Sequence, residues 1–258
     1  MKFETFDARM RLFETAHDHC VLPGLYIVVR LDGKNFTRLT KETWPFQVPF
    51  DPGFRDLMVD TVEHLMQCGV NVIYAYAQSD EISLLLRRDD DSFGRKTRKL
   101  ISILAGEASA KFSLGLGGVA VFDARVSQLP SPDHVVDYFR WRHEDAHRNA
   151  LNAHCYWGLR GGGESPSAAA QMLRGLSTAE KNELLFRQGI NFNDLPSWQK
   201  RGMALFWHNG PTSNEDGPGA TREPGPTEPV RAPRRRLERN LELPLGEAYG
   251  AYVRGFVV

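Results

Sequence analysis

Tyr74-Ala75-Tyr76-Ala77-Gln78-Ser79-Asp80-Glu81-Ile82-Ser83-Leu84-Leu85-Leu86 is the stretch that decides the fold of this 258-residue chain. An aromatic run precedes Gln78-Ser79-Asp80 and an apolar run from Ile82 to Leu86 follows it, so the stretch reads as a β-hairpin with two adjacent carboxylates at its tight turn. Upstream, Tyr26-Ile27-Val28-Val29-Arg30-Leu31 lies between Gly24 and Asp32-Gly33 and reads as a buried strand that ends on a third carboxylate. If the two strand ends are neighbours, Asp32 and Asp80 can share divalent metal ions.

Working outward, residues 4 to 18 read as an amphipathic helix with Phe6, Met10 and Phe13 on one face. The stretch from Pro45 to Pro52 reads as a loop, and Phe54, Leu57, Met58, Thr61, Val62, Leu65 and Met66 trace a helix face up to Gly69. After the hairpin, a helical pattern runs from Phe93 to Leu114, opened by Arg95, Lys96, Arg98 and Lys99, and a fourth strand is expected around Val119 to Phe122. The order strand, helix, strand, strand, helix, strand is the βαββαβ plan of ferredoxin-like domains, and nucleic-acid polymerase palms share it. The fold class is therefore α+β: a palm-like domain over residues 1–130, then a helical region over 131–208.

Within that second region, one helix or a helix pair is expected from Pro132 to about Arg160, ended by Gly161-Gly162-Gly163. Ser165-Pro166 and the capping box Ser177-Thr178-Ala179-Glu180 open two more helices. Pro211, Pro218, Pro224, Pro226, Pro229 and Pro233 mark residues 209–236 as a Pro-rich linker. Residues 237–258 form a closing segment, of which Ala248 to Val258 is apolar enough to dock on the body or on another subunit.

Composition narrows the function classes. The chain is 41% hydrophobic and 25% charged, with 32 basic against 32 acidic residues, which suits a globular protein and leaves room for a local basic face. Cys20, Cys68 and Cys155 lie far apart and form no metal-ligand pair, which implies reduced thiols and a cytoplasmic location. No stretch approaches the ~18 apolar residues of a membrane span, and no signal core is evident.

The candidate chemistry rests on Asp32, Gly33 and Asp80 as metal ligands, with Glu81 as a supporting carboxylate. Divalent metal ions held there can orient a triphosphate and neutralise the leaving pyrophosphate. Basic side chains at the start of the following helix are placed to meet that triphosphate.

Arg30-Leu31-Asp32-Gly33-Lys34-Asn35-Phe36, Gln78-Ser79-Asp80-Glu81, Phe93 with Arg95, Lys96 and Lys99, His147 with Asn149, Lys181-Asn182-Glu183 and Ile190-Asn191-Phe192-Asn193 follow one another in order. Together they resemble the tRNA(His) guanylyltransferase family and its 3′-to-5′ RNA polymerase branch, over about residue 3 to Trp207. The resemblance implies an enzyme that adds nucleotides to the 5′ end of tRNA. A 5′-monophosphate is activated by adenylylation or a 5′-triphosphate is used directly, and the 3′-hydroxyl of an incoming nucleoside triphosphate then attacks. It further implies Asp32, Gly33 and Asp80 as magnesium ligands, and Lys34, Asn35, Phe36, Thr37 and Ser79 as nucleotide-binding positions beside Asp32. Lys96 and Lys99 would contact the triphosphate of the activating ATP or GTP, and His147, Asn149 and Lys181 would serve activity and RNA handling. A homotetramer built from dimers is implied as well. An RNA-binding groove across subunits would gather Arg140, Arg142, Arg148 and Arg160, and the apolar-aromatic stretch from Tyr138 to Trp157 is the expected subunit contact.

The chain departs from the guanylyltransferases proper at Thr37 and over His147-Arg148-Asn149-Ala150-Leu151-Asn152-Ala153-His154. This favours template-dependent repair of 5′-truncated tRNA, where base pairing selects the nucleotide, over addition of a single guanosine. A catalytically idle tRNA-binding palm and a nucleotide cyclase are the readings from other classes.

Overall fold

The computed structural model describes residues 2–209 and 235–257. Strands β1 (Tyr26–Gly33), β2 (Val72–Gln78), β3 (Glu81–Leu86), β4 (Phe122–Leu129), β5 (Met203–Asn209) and β6 (Arg235–Asn240) form one sheet in the order β4-β1-β3-β2-β5-β6. All neighbours run antiparallel. The helices are α1 (Phe3–Thr15), α2 (Phe36–Arg38), α3 (Pro52–Leu65), α4 (Thr97–Leu116), α5 (Pro132–Gly161), α6 (Pro166–Leu173), α7 (Thr178–Arg187), α8 (Ser197–Arg201) and α9 (Gly246–Arg254). The first four strands with α3 and α4 are the βαββαβ plan read from the sequence.

Strand alternation assigns each side chain to a face. Ile27, Val29 and Leu31 of β1 and Ala75 and Ala77 of β2 pack with Met58, Val62, Leu104 and Phe112 beneath α3 and α4. Tyr26, Val28, Tyr74 and Tyr76 enter a second core with Phe139, Tyr249 and Val253 beneath α5 and α9. Small alanines on one face and large tyrosines on the other let the same strand fit two helical layers. Beyond the sheet, the far half of α5 packs with α6 and α7 around Leu151, Cys155, Leu173 and Leu185. Helix starts follow their caps: Asp51 accepts from the Phe54 N–H, Ser131 precedes Pro132, and the Ser177–Glu180 capping box is formed.

Several elements differ from the sequence reading. Helix α1 stops at Thr15 and buries none of its residues, so its apolar stripe faces outward. The fourth strand begins at Phe122: the hydroxyls of Ser113 and Ser109 accept from the N–H groups of Ala120 and Phe122, which holds residues 117–121 as a connection with Val119 exposed. Arg95 does not open a helix. Phe93, Gly94 and Arg95 all have positive φ, α4 starts at Thr97, and the buried Arg95 guanidinium donates to the carbonyls of Val21, Leu22, Leu25, Arg88 and Asp90.

The region read as helical to residue 208 ends in β5, which extends the sheet beside β2 because Met203 and Leu205 face one core and Ala204 the other. Part of the aromatic face of α5 is covered from within the chain: Tyr138 and Phe139 are buried beneath the sheet and α9, whereas Trp141 is exposed. The closing segment docks on the body through β6 and α9. Of the Pro-rich linker read at 209–236, residues 210–234 lie outside the described residues. Cys20, Cys68 and Cys155 are free thiols, and no helix among the described residues is long and apolar enough to cross a membrane.

Tyr249 anchors α9: its ring stacks on His143 at 4.0 Å and its hydroxyl meets that of Tyr74 at 3.0 Å. Tyr249→Ala is expected to cost roughly 3–5 kcal/mol in urea unfolding, and Tyr249→Phe about 1 kcal/mol for the lost hydrogen bond. A loss below 1 kcal/mol for the alanine variant would show that α9 is dispensable for the fold.

Candidate active site

The antiparallel register brings the two predicted carboxylates together. Asp32 pairs with Glu81 across β1 and β3, and the Gly33 N–H donates to the Asp80 carbonyl at 3.0 Å, so Asp80 sits beside the end of β1. Ser79 takes positive φ in the two-residue turn, and its hydroxyl donates to Asp80 Oδ1 at 3.1 Å. Gly33 has a packing reason to be glycine: a Cβ there would lie 2.4 Å from the ring of Phe36. That ring is buried in the core, so Phe36 can meet a nucleotide only through its backbone, whereas Lys34, Asn35 and Thr37 are exposed. Asn35 is left-handed, and α2 starts directly after it.

Burial pushes the Asp80 carboxyl up to about 6, and the neighbouring charges of Asp32 and Glu81 add to the effect. Glu81 is held differently. Arg142 of α5 donates Nε and Nη2 to its two oxygens, both at 2.6 Å, and Arg30 stands 3.7 Å away. That bidentate pair makes Glu81 a supporting carboxylate rather than an open ligand. Asp32 has only distant guanidinium partners, Arg30 at 4.0 Å and Arg125 at 3.8 Å, and the buried Arg30 Nε has no partner.

The chemistry of this set fits magnesium. Among the described residues no cluster of three or more His, Cys, Asp or Glu side chains is built to hold a metal. Mg2+ characteristically takes one or two carboxylates and completes its shell with water and substrate phosphates. Asp32 and Asp80 supply two oxygen donors, and burial together with the neighbouring carboxylates disfavours a charged Asp80, a penalty that a bound cation would relieve.

The other predicted residues fall into two groups. Near the start of α4, Lys96 binds Asp18 at 2.7 Å, Arg98 pairs with the same carboxylate, and the two hydrogen bonds hold Asp18 down at about 2. Lys99 is exposed. On α5 and α7, His147 lines a cleft of ≈ 370 Å³ with Asn182, Asn191, Phe192 and Asn193. Burial lowers the His147 imidazole, Arg201 and Lys200 add to the effect, and its Nδ1 is buried without a partner.

Lys181 is not on that lining; its carbonyl accepts from the Cys155 thiol. Asn149 donates to Asp145 at 3.2 Å, and Asp145 also accepts from Arg142 and Arg148. The four arginines assigned to an RNA groove each have a partner within the chain. Arg142 and Arg148 are paired within the chain, Arg140 faces Glu144 at 3.9 Å, and Arg160 donates to the Glu164 carbonyl.

Arg125 and Asp145 escaped the sequence reading. The Asp123/Arg125 alternation with Phe122, Ala124 and Val126 would have revealed Arg125, had the strand been placed at 122–129.

A profile described as tRNAHis guanylyltransferase matches residues 7–130, and one described as the C-terminal domain of the same family matches residues 133–241. The probable tRNA(His) guanylyltransferase of Drosophila melanogaster is 35% identical over 199 residues, covering 73% of this chain and 69% of its own. This chain belongs to the tRNA(His) guanylyltransferase family. The family's members are nucleotidyltransferases acting at the 5′ end of tRNA.

Among solved structures, a bacterial guanylyltransferase-like protein in complex with ATP superposes with a TM-score of 0.76 at 28% identity, covering 98% of this chain and 99% of that one. The tRNA(His) guanylyltransferase of Saccharomyces cerevisiae superposes with a TM-score of 0.70 at 30% identity, covering 76% and 91%. Family likeness therefore continues past Trp207, where the motif-based reading had ended it, and includes β5 and β6. The fold is the family's palm-like α+β architecture.

With an Asp80 carboxyl at about 6 against an ordinary 3.8, the folded protein holds a proton that the unfolded chain releases. This contribution to stability is fully present below the unfolded value and is lost as pH rises through 6. Asp80→Asn is expected to raise the melting temperature of the metal-free protein by roughly 2–4 °C at pH 8, with little change at pH 4. Equal shifts at both pH values in differential scanning calorimetry would contradict the assignment.

Proposed function

We propose that this protein is a magnesium-dependent 3′-to-5′ nucleotidyltransferase that repairs 5′-truncated tRNA by template-dependent addition. The observation that carries the reading is the placement of Asp32 and Asp80 on adjacent strand ends, with the Asp80 charge disfavoured by burial. Asp32, Asp80 and the Gly33 carbonyl would hold two Mg2+ ions. When bound, those ions supply charge neutralisation on the phosphates and acidify the attacking hydroxyl. The 3′-hydroxyl of the incoming nucleoside triphosphate forms a bond to the 5′ phosphorus of the tRNA, and pyrophosphate or the activating nucleotide leaves.

The chain's own groups do the positioning. The exposed backbone around Lys34, Asn35 and Thr37 and the Ser79 hydroxyl face the phosphates, with Lys99 and, on release from Asp18, Lys96 completing the set. Arg30 and Arg125 flank Asp32 and balance triphosphate charge. Beside Ser79 lies a pocket lined by Phe46, Phe50, Phe54, Asp51 and Trp198, with Arg55 stacked 4.8 Å from a Trp198 ring. Aromatic walls of this kind can stack the purine of an activating ATP or GTP once the pocket, ≈ 60 Å³ here, widens; bacterial relatives have been solved in complex with each nucleotide. His147 and the asparagines of its cleft suit RNA handling.

Template-dependent repair is supported by the departures at Thr37 and 147–154. Single-guanosine addition is the alternative. Extension of labelled, 5′-truncated tRNAs, with the opposing template base varied and each 5′-phosphorylation state supplied, separates the two. Addition is expected to follow the template base and to fall roughly 100-fold or more in Asp80→Ala. Guanosine added regardless of template would reject repair, and full activity in Asp80→Ala would reject the metal assignment.

The homotetramer belongs to the same proposal. The outward stripe of α1, with Phe6, Met10 and Phe13 all exposed, is the face suited to a second copy of this chain. Light scattering of the wild type is expected to give an oligomeric mass and of Phe6→Lys/Phe13→Lys a smaller one. An unchanged mass would remove α1 from the interface.

A further inference from the structure

At the end of the sheet opposite the Asp32–Asp80 turn lies an open cleft of ≈ 680 Å³. Six residues of β1 and β3 separate the two ends, a span of about 20 Å at ~3.3 Å per residue. Arg87, Arg88 and Arg235 stand around the cleft with a single carboxylate, Asp89; the partly exposed Trp207 and Phe256 supply aromatic surface, and the Tyr26 ring is buried beneath Arg88.

The cleft is pre-formed. Arg88 lies 5.0 Å above the Tyr26 ring and donates to the Gly24 carbonyl at 3.2 Å. The Trp207 indole donates to the Val72 carbonyl at 3.0 Å, and Phe256 stacks on Tyr74 at 4.8 Å. Below them the buried Arg95 guanidinium fixes the carbonyls of Leu22, Leu25 and Arg88. Arg87 is exposed and shares Asp89 at 2.5 Å, and Arg235 is exposed. Three guanidinium groups against one carboxylate leave net positive charge.

Exposed arginines around aromatic side chains are the donor set for a phosphate joined to a stacked base. The volume suits one nucleotide unit. The geometry points to a second nucleotide-unit site here, one that takes a phosphate and base of the RNA substrate while its 5′ end lies at the Asp32–Asp80 turn. This inference rests on the tRNA reading above. Phosphate contacts of this kind strengthen and orient RNA binding without taking part in the reaction.

The test uses the full chain with Arg87→Ala/Arg235→Ala, both exposed positions, and compares it with Arg9→Ala/Arg11→Ala, which removes the same charge from α1. Matching melting temperatures establish that each variant is folded. Labelled truncated tRNA is titrated by fluorescence anisotropy at several salt concentrations. Arg87→Ala/Arg235→Ala is expected to weaken tRNA binding roughly five- to tenfold and to lower the salt slope by roughly 1–2, with the addition rate at saturating tRNA unchanged. Unchanged affinity and slope would overturn the site, as would an equal loss in the α1 variant, which would make the effect general electrostatics.

Free nucleotide is separated from RNA by titrating ADP into Asp80→Ala with and without the cleft substitutions. ADP binding that depends on Arg87 and Arg235, with tRNA affinity unmoved by them, would overturn RNA as the occupant. Asp80→Ala that loses addition yet binds tRNA normally keeps the test of the catalytic reading separate from that of the cleft.

Discussion

The bidentate pair between Arg142 and Glu81 is the interaction on which the arrangement depends. Its side chains are only 11% and 15% exposed, so two charges sit largely away from water and must satisfy one another. Without Arg142, Glu81 would stand beside Asp32 and Asp80 with only the longer Arg30 contact at 3.7 Å to balance it. With it, Glu81 becomes a fixed post that ties α5 to the first residue of β3. Arg142 also meets Asp145, which in turn holds Arg148 and Asn149. One polar chain thus runs from the hairpin onto the helix, and the same helix continues into the helical lobe around Leu151 and Cys155.

This placement explains why neighbouring carboxylates have different characters. Asp80 is raised because it is partly buried beside other carboxylates, Glu81 is paired, and Asp32 has two guanidinium groups at the limit of contact. Three acids within a few residues of strand end therefore divide into two open ligands and one positioned support. Sequence position alone is nearly uninformative here, since Asp80 and Glu81 are adjacent; the division comes from which side of the turn each faces.

Much of the palm was legible because its signals are local. The hairpin, the first strand, the caps at Asp51, Ser131 and Ser177, and the two helices between strands all follow from short-range pattern and turn chemistry. What escaped depended on partners distant in the chain. β5 reads as a strand only once β2 and β6 flank it, and the burial of Tyr138 and Phe139 on α5 depends on α9, far along the chain. Arg95 looked like one more cation at a helix start, yet its side chain gathers carbonyls from residues 22 to 25 and 88 to 90. At the site, the Asp32 and Asp80 pairing was readable from topology, whereas the separation of Lys181 from the His147 cleft reflects helix packing that no spacing encodes.

The turn between β2 and β3 holds only Ser79 and Asp80, with Gln78 paired to Glu81 on either side. The residues that close the hairpin are thus also residues of the candidate site. A lengthened turn would carry Asp80 away from Gly33, and a one-residue slip of β3 would turn Glu81 from Arg142 toward the opposite layer. An insertion or deletion at this point would disturb the pairing and the site together, whereas exchange of a side chain need not. Chain length at the turn is thus a single constraint that serves folding and chemistry at once.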